Sequence, residues 1–182
     1  MPWKNGGGET LEIAVGPPGA PLDAFEWRVS QAHVASRGPF SLFAGVDRTL
    51  AVLSGRGIRL SIAGRGTVTL GSEAPPFTFP ADLPAQVELI DGAIDDLNVM
   101  TRRASHRHRL TRLPAAGPVG LTRHGYVLLV VARGAAATVR ATADEHTLAA
   151  GDTLMLDQSD EPRIEIAPAA AAQLYVIDLW RS

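Results

Sequence analysis

Apolar and polar residues alternate along this chain in short runs, and almost every run ends at glycine or proline. Thr10-Leu11-Glu12-Ile13-Ala14-Val15 has strand periodicity and stops at Gly16-Pro17-Pro18-Gly19. Phe25 to Val34 predicts a second strand, with Trp27 and Val29 on one face and Arg28 and Ser30 on the other. Gly38 to Arg48 reads as a loop mixing aromatics with one carboxylate and one guanidinium. Beyond it, Leu50-Ala51-Val52-Leu53, Ile58 to Ala63 and Thr67 to Leu70 are strands separated by the turns Gly55-Arg56-Gly57 and Gly64-Arg65-Gly66. Pro75-Pro76-Phe77-Thr78-Phe79-Pro80 belongs at a sheet edge or in a loop, with both phenylalanines on one side. Gln86 to Ile90 leads through the turn Asp91-Gly92 into Asp95 to Arg103, where Leu97, Val99 and Thr101 oppose Asn98, Met100 and Arg102.

The rhythm then repeats. Val127 to Gly134 echoes Leu50 to Gly57, and Leu148 to Asp157 takes the place of Val68 to Pro80. Arg163 to Ile166 and Leu174 to Trp180 answer Val87 to Ile90 and Asp96 to Arg102. A long unit occurring twice predicts two fused β-modules rather than a solenoid. Leu148-Ala149-Ala150-Gly151-Asp152 is the step a cupin-type jelly roll shows at its tight inter-strand turn. The expected fold is all-β, two fused cupin-type jelly-roll barrels (a bicupin). Residues 1–104 form an N-terminal module carrying the pocket, 105–124 a solvated basic connector, and 125–182 a C-terminal module serving as scaffold.

Composition narrows the chemistry. The 182 residues carry 17 Lys+Arg and 19 Asp+Glu, a formal net charge of -2, so no global field favours nucleic acid or an anionic membrane. The absence of cysteine excludes disulfides, thiolate metal sites and a cysteine nucleophile. With no signal-peptide pattern and no apolar run of about 18 residues, a soluble cytoplasmic protein is expected. Lys4 is the only lysine, Asn5 and Asn98 are the only asparagines, and Trp3 is one of three tryptophans. Pro2-Trp3-Lys4-Asn5-Gly6-Gly7-Gly8 therefore concentrates rare side chains ahead of glycines that let a backbone fold back closely.

The motifs Pro2 to Gly8, Trp27-Arg28-Val29-Ser30, Gly38-Pro39-Phe40-Ser41, Asp47-Arg48 and Asp96-Leu97-Asn98-Val99-Met100-Thr101-Arg102-Arg103 together resemble the HutD/Ves family, over essentially the whole chain. At Pro80-Ala81-Asp82 the resemblance implies a glycine where this chain has Ala81. The resemblance implies a bicupin, association with histidine-utilisation operons, and a role in binding a pathway intermediate or tempering flux. It implies no established reaction.

The chemically rich residues all precede position 104: Trp3, Lys4, Asn5, Arg28, Ser30, Phe43, Asp47, Arg48, Asn98, Met100 and Arg102. If the first barrel has an open mouth, the N-terminal segment can lie over it with Lys4 near Arg28, Asn98 or Arg102, facing a carboxylate. The ligand expected is a small acidic metabolite such as urocanate or N-formylglutamate. Buried structural ion pairs among Arg28, Asp47, Arg48 and Arg102 are the competing reading, and Met100, like Trp27, reads first as core. No cofactor and no metal are expected. His106-Arg107-His108 has strand spacing for two imidazoles, but it stands among arginines and no following glutamate completes a cupin metal pattern. A non-catalytic regulator of amino-acid catabolism is thus the leading function. The alternative is a cupin enzyme, an isomerase or hydrolase using Lys4 or Asp47 as acid or base. A homodimer through sheet edges is open, without an edge signature to specify it.

Overall fold

The computed structural model describes residues 8–113, 117–125, 127–141, 144–157, 163–170 and 172–182. Every regular element among them is a β-strand, and the chain divides into two compact units, Met1–His106 and Arg107–Ser182.

The first unit contains β1 (Gly8–Gly16), β2 (Trp27–Val34), β3 (Gly38–Pro39), β4 (Val46–Ser54), β5 (Ile58–Ile62), β6 (Gly66–Leu70), β7 (Phe77–Pro80), β8 (Ala85–Leu89) and β9 (Ile94–Arg102). They form a five-stranded sheet of order β1-β2-β9-β4-β7 and a four-stranded sheet of order β3-β8-β5-β6. The proline-flanked Phe77–Pro80 is an edge strand, since proline cannot donate to two neighbours. Between β4 and β5 the chain reverses through Gly55 (φ 89°) and Gly57 (φ 107°). A Cβ on Gly57 would stand 2.4 Å from the Leu70 carbonyl oxygen, so this turn requires glycine for both space and backbone.

The register of the larger sheet decides which side chains point inward. Paired residues of antiparallel strands face the same side. Arg28, Met100, Arg48 and Phe79 form one cross-strand row; Glu12, Ser30, Asn98 and Leu50 form the next; Ala32, Asp96 and Val52 form a third. Leu50, Val52 and Phe79 pack with Ile58, Leu60 and Val87 of the smaller sheet, so these rows line the barrel interior. On the opposite face of the large sheet Val29, Leu97 and Val99 are also fully buried. β9 therefore has apolar burial on one side and polar burial on the other.

The second unit comprises β10 (His106–Leu113), β11 (Val119–Thr122), β12 (Val127–Arg133), β13 (Ala137–Ala141), β14 (Asp144–Leu148), β15 (Thr153–Leu156), β16 (Arg163–Pro168) and β17 (Gln173–Arg181). Its sheets run β10-β17-β12-β15 and β11-β16-β13-β14. Adding eight to each strand number of the first unit, apart from β1, reproduces this order, so the sequence repeat is a topological repeat. Its core is aliphatic: Leu113, Val139, Leu156, Ile164, Ile166 and Leu174. The turn expected at Gly151-Asp152 is present, with Gly151 at φ 96° and Asp152 Oδ2 accepting the Ala149 N–H at 2.8 Å.

The basic run at 105–124 is not a solvated connector. His106–Leu113 and Val119–Thr122 are strands, because His106, Leu110 and Leu113 are buried between exposed Arg107, Arg109 and Thr111. Arginines on the solvated face masked that alternation in the sequence.

Candidate functional site in the first barrel

The inward rows place two guanidiniums within the barrel. On β2, Arg28 is buried; its Nε donates to Glu12 Oε2 at 2.8 Å and its Nη1 to Ser30 Oγ at 3.2 Å. Its Nη2 is buried and has no hydrogen-bond partner. On β4, Arg48 donates from Nε and Nη2 to Asn98 Oδ1, at 2.8 and 2.6 Å. Its guanidinium lies 3.9 Å from the Phe40 ring centroid and 5.8 Å from that of Phe79. Asn98 in turn donates from Nδ2 to Asp96 Oδ1 at 2.6 Å. Asp96 is fully buried, and its Oδ2 has no partner.

This is a continuous polar band, Glu12–Arg28–Ser30 beside Arg48–Asn98–Asp96. Apolar core bounds it on one side through Leu50, Val52 and Leu60. A cluster of Phe25, Val46, Ala81 and Met100 bounds the other. Removal from water dominates its electrostatics. Burial lowers the Arg48 pKa to about 10, an effect opposed by Asp96 and reinforced by Arg28. Burial raises Asp96 to about 6, opposed by Arg48, by the Asn98 bond and by the Ala32 backbone N–H. The attraction between Arg48 and Asp96 across Asn98 thus does not fully replace the hydration the two groups gave up. A desolvated guanidinium with a free N–H, next to another lying on an aromatic face, has the donors and the flat surface that could accept an anionic, planar group.

The sequence-predicted residues fall into three places. Arg28, Ser30, Arg48 and Asn98 come together in the band. Phe43 and Arg102 border a separate cleft of ≈ 390 Å³ at the end of the barrel, lined also by Leu22, Asp23, Ser41 and Leu42. There Arg102 is occupied by the carbonyl oxygens of Phe25 (2.7 Å), Asp23 and Ala44 (3.5 Å), and its guanidinium lies 5.5 Å from the Phe25 ring. Met100, between the two, belongs to the apolar cluster. Asp47 is next to Arg48 in sequence and so projects from the opposite face of β4, where Oδ1 sits 3.4 Å from Arg103 Nη1. Arg103 also binds Asp82. Trp3, Lys4 and Asn5 lie outside the described residues.

Sequence reasoning omitted Glu12, Phe40, Phe79 and Asp96. Asp96 was within reach: it has the same strand parity as Asn98 and Met100, two positions earlier. Glu12 and the two phenylalanines enter only through the registers of β1, β7 and the loop after β3, which alternation alone does not fix.

The histidine pair of β10 shows a buried His106, 2.8 Å from Ser105 Oγ and 3.8 Å from Glu26 Oε2, and a His108 whose pKa burial lowers to about 4. Among the described residues no group of three or more His, Cys, Asp or Glu could hold a metal ion. In the second unit Asp178 is buried and accepts the backbone N–H groups of Gly125 (2.8 Å) and His124 (3.3 Å), which fixes that turn. No described helix is long and apolar enough to cross a membrane.

The HutD family model matches residues 1–175. The protein Ves of Citrobacter koseri is 45% identical over 102 residues, which span 56% of this chain and 52% of that protein. A 21.2 kDa protein of Pseudomonas putida, described as lying in the hutC 3′ region, is 35% identical over 161 residues, covering 88% of this chain and 83% of that one. The structure of HutD from Pseudomonas fluorescens SBW25 superposes with a TM-score of 0.83 at 30% identity, over 100% of this chain and 93% of that chain. A cupin 2 barrel protein from Leptotrichia buccalis, 10% identical, shares the fold with a TM-score of 0.57 over 96% of this chain and 89% of its own.

Proposed function

The chain belongs to the HutD family, and from that premise we propose that it is a non-catalytic receptor for a small carboxylate of histidine breakdown, such as urocanate or N-formylglutamate, and tempers the pathway in response. The observation that carries this reading is the Arg28 Nη2 group, buried and without a partner, in a band that already holds a second guanidinium. A buried polar N–H left unpaired costs about 1 to 3 kcal/mol, and a ligand oxygen there would recover that cost. The Phe40 and Phe79 faces beside Arg48 suit a planar acid. The hutC 3′ location of the Pseudomonas putida relative supports the pathway assignment. Ligand access then requires the Phe25–Val46–Met100 cluster to move aside.

Isothermal titration of the purified protein with formate, urocanate and N-formylglutamate tests the reading. At least one should bind, and Arg28→Gln, verified as folded by circular dichroism, should weaken it roughly 10- to 100-fold, the worth of one charge-assisted hydrogen bond. Absence of binding by all three, or unchanged affinity in Arg28→Gln, overturns it.

A further inference from the structure

We propose that anion capture by the Arg28–Arg48 band is coupled to uptake of a proton by Asp96, so that the barrel takes in a carboxylate together with a proton. This inference deepens the receptor reading above and rests on it. The band holds two guanidiniums, Arg28 and Arg48, and two carboxylates, Glu12 and Asp96. With all four ionised the interior is neutral. A bound monoanion leaves one negative charge in excess in a low-dielectric space, and protonating one internal carboxylate restores the balance.

Geometry selects Asp96. Glu12 is partly solvated, its side chain 39% exposed, and its Oε2 is held by Arg28 Nε. Asp96 is fully buried and uses only Oδ1 toward Asn98, leaving Oδ2 without a partner. A proton placed on Oδ2 therefore breaks none of these bonds. Asn98 links the two events: its Nδ2 holds Asp96 while its Oδ1 takes two N–H groups from Arg48, the groups an arriving carboxylate would claim.

The other groups facing Asp96 do not compete for this role. From β2 come Arg28, Ser30 and Ala32; from β4, Arg48 and Val52; from β1, Glu12. The opposing sheet presents Ile58, Leu60 and Val87, all apolar. Asp95 adds a like charge from the other face of β9, where His33 (2.9 Å) and Ser54 (2.6 Å) bind it. Burial already brings Asp96 to about 6 in the unliganded protein. A ligand carboxylate raises it further, so affinity is level below about pH 6. Above that it falls by up to about tenfold per pH unit, until the pH passes the liganded value.

The test is calorimetric titration with formate, which stays ionised across this range, at pH 7 in two buffers of different ionisation enthalpy. The wild type should take up close to one proton per formate bound. Asp96→Asn should take up almost none, with affinity that stays level from pH 6 to 8. Infrared difference spectra of the wild type should gain a carboxylic-acid C=O band on formate addition. Binding of formate without proton uptake, or equal uptake in wild type and Asp96→Asn, overturns the coupling and leaves the receptor reading standing. Failure of the wild type to bind formate removes the coupling at this site, and failure to bind urocanate and N-formylglutamate as well removes the receptor reading too. Should Asp96→Asn not fold, the wild-type buffer comparison and the infrared band decide alone.

Discussion

Replacing Asp96 by asparagine should stabilise the unliganded protein at neutral pH, although it removes a buried negative charge that attracts Arg48 across Asn98. The side chain is fully buried and its carboxyl is raised from 3.8 to about 6, mainly by desolvation. At about 1.36 kcal/mol per unit of pKa, that change corresponds to roughly 3 kcal/mol withheld from the folded state once Asp96 ionises. The sign follows from proton binding. Between pH 4 and 6 the folded chain holds a proton that the unfolded chain has lost, so wild-type stability declines as pH rises through this window. Asparagine keeps the shape and can still bond to Asn98, but it never ionises. Differential scanning calorimetry of both proteins from pH 4 to 8 should give equal melting temperatures near pH 4. Above pH 6, Asp96→Asn should melt higher by several degrees, given about 2 to 4 °C per kcal/mol for a chain of this size. Taking the difference between the two proteins cancels the other titrating groups. A mutant that melts lower than wild type at pH 7 to 8 would refute the reasoning. It would mean that the Arg48–Asp96 attraction exceeds the cost of burial.

Two further substitutions test the architecture around the band. Arg102→Ala removes the guanidinium bonds to the carbonyl oxygens of Phe25, Asp23 and Ala44, and should cost roughly 1 to 3 kcal/mol in thermal unfolding while leaving the Arg28–Arg48 band in place. Gly125→Ala puts a Cβ 1.9 Å from the Leu179 carbonyl oxygen, a backbone overlap that side-chain rotation cannot relieve; hydrogen exchange should show β17 losing protection. Gly38→Ala, which meets no atom within 4 Å, should leave protection unchanged.

The strands were legible wherever alternation and glycine punctuation coincide. Ile58–Ile62 shows this, bounded by Gly57 and Gly64 with Ile58, Leu60 and Ile62 inward. The duplication was legible too, because the same succession of apolar runs and glycine turns occurs twice along the chain. β10 was not, since its three arginines, Arg107, Arg109 and Arg112, mimic a solvated linker unless the burial of His106 and Leu110 is known. In the site, chemistry and parity on a single strand identified Asn98, and strand pairing then brought Arg28 and Arg48 to it. Asp47 and Arg48 show where reasoning by neighbourhood fails: a strand sends adjacent side chains to opposite faces, so the two never share a site. Arg102 shares strand parity with Asn98. It lies two rows from Asn98, beyond Met100, and its guanidinium is committed to loop carbonyls.

In the proposed function the buried, unpartnered N–H of Arg28 anchors a small carboxylate. The most direct measurement is a crystal structure of the protein with formate or urocanate bound. A carboxylate oxygen should lie within about 2.7 to 2.9 Å of Arg28 Nη2, the distance of a charge-assisted hydrogen bond, with Arg48 on the same carboxylate. A ligand found only in the cleft bordered by Phe43 and Arg102, with Arg28 Nη2 still unpaired, would contradict it.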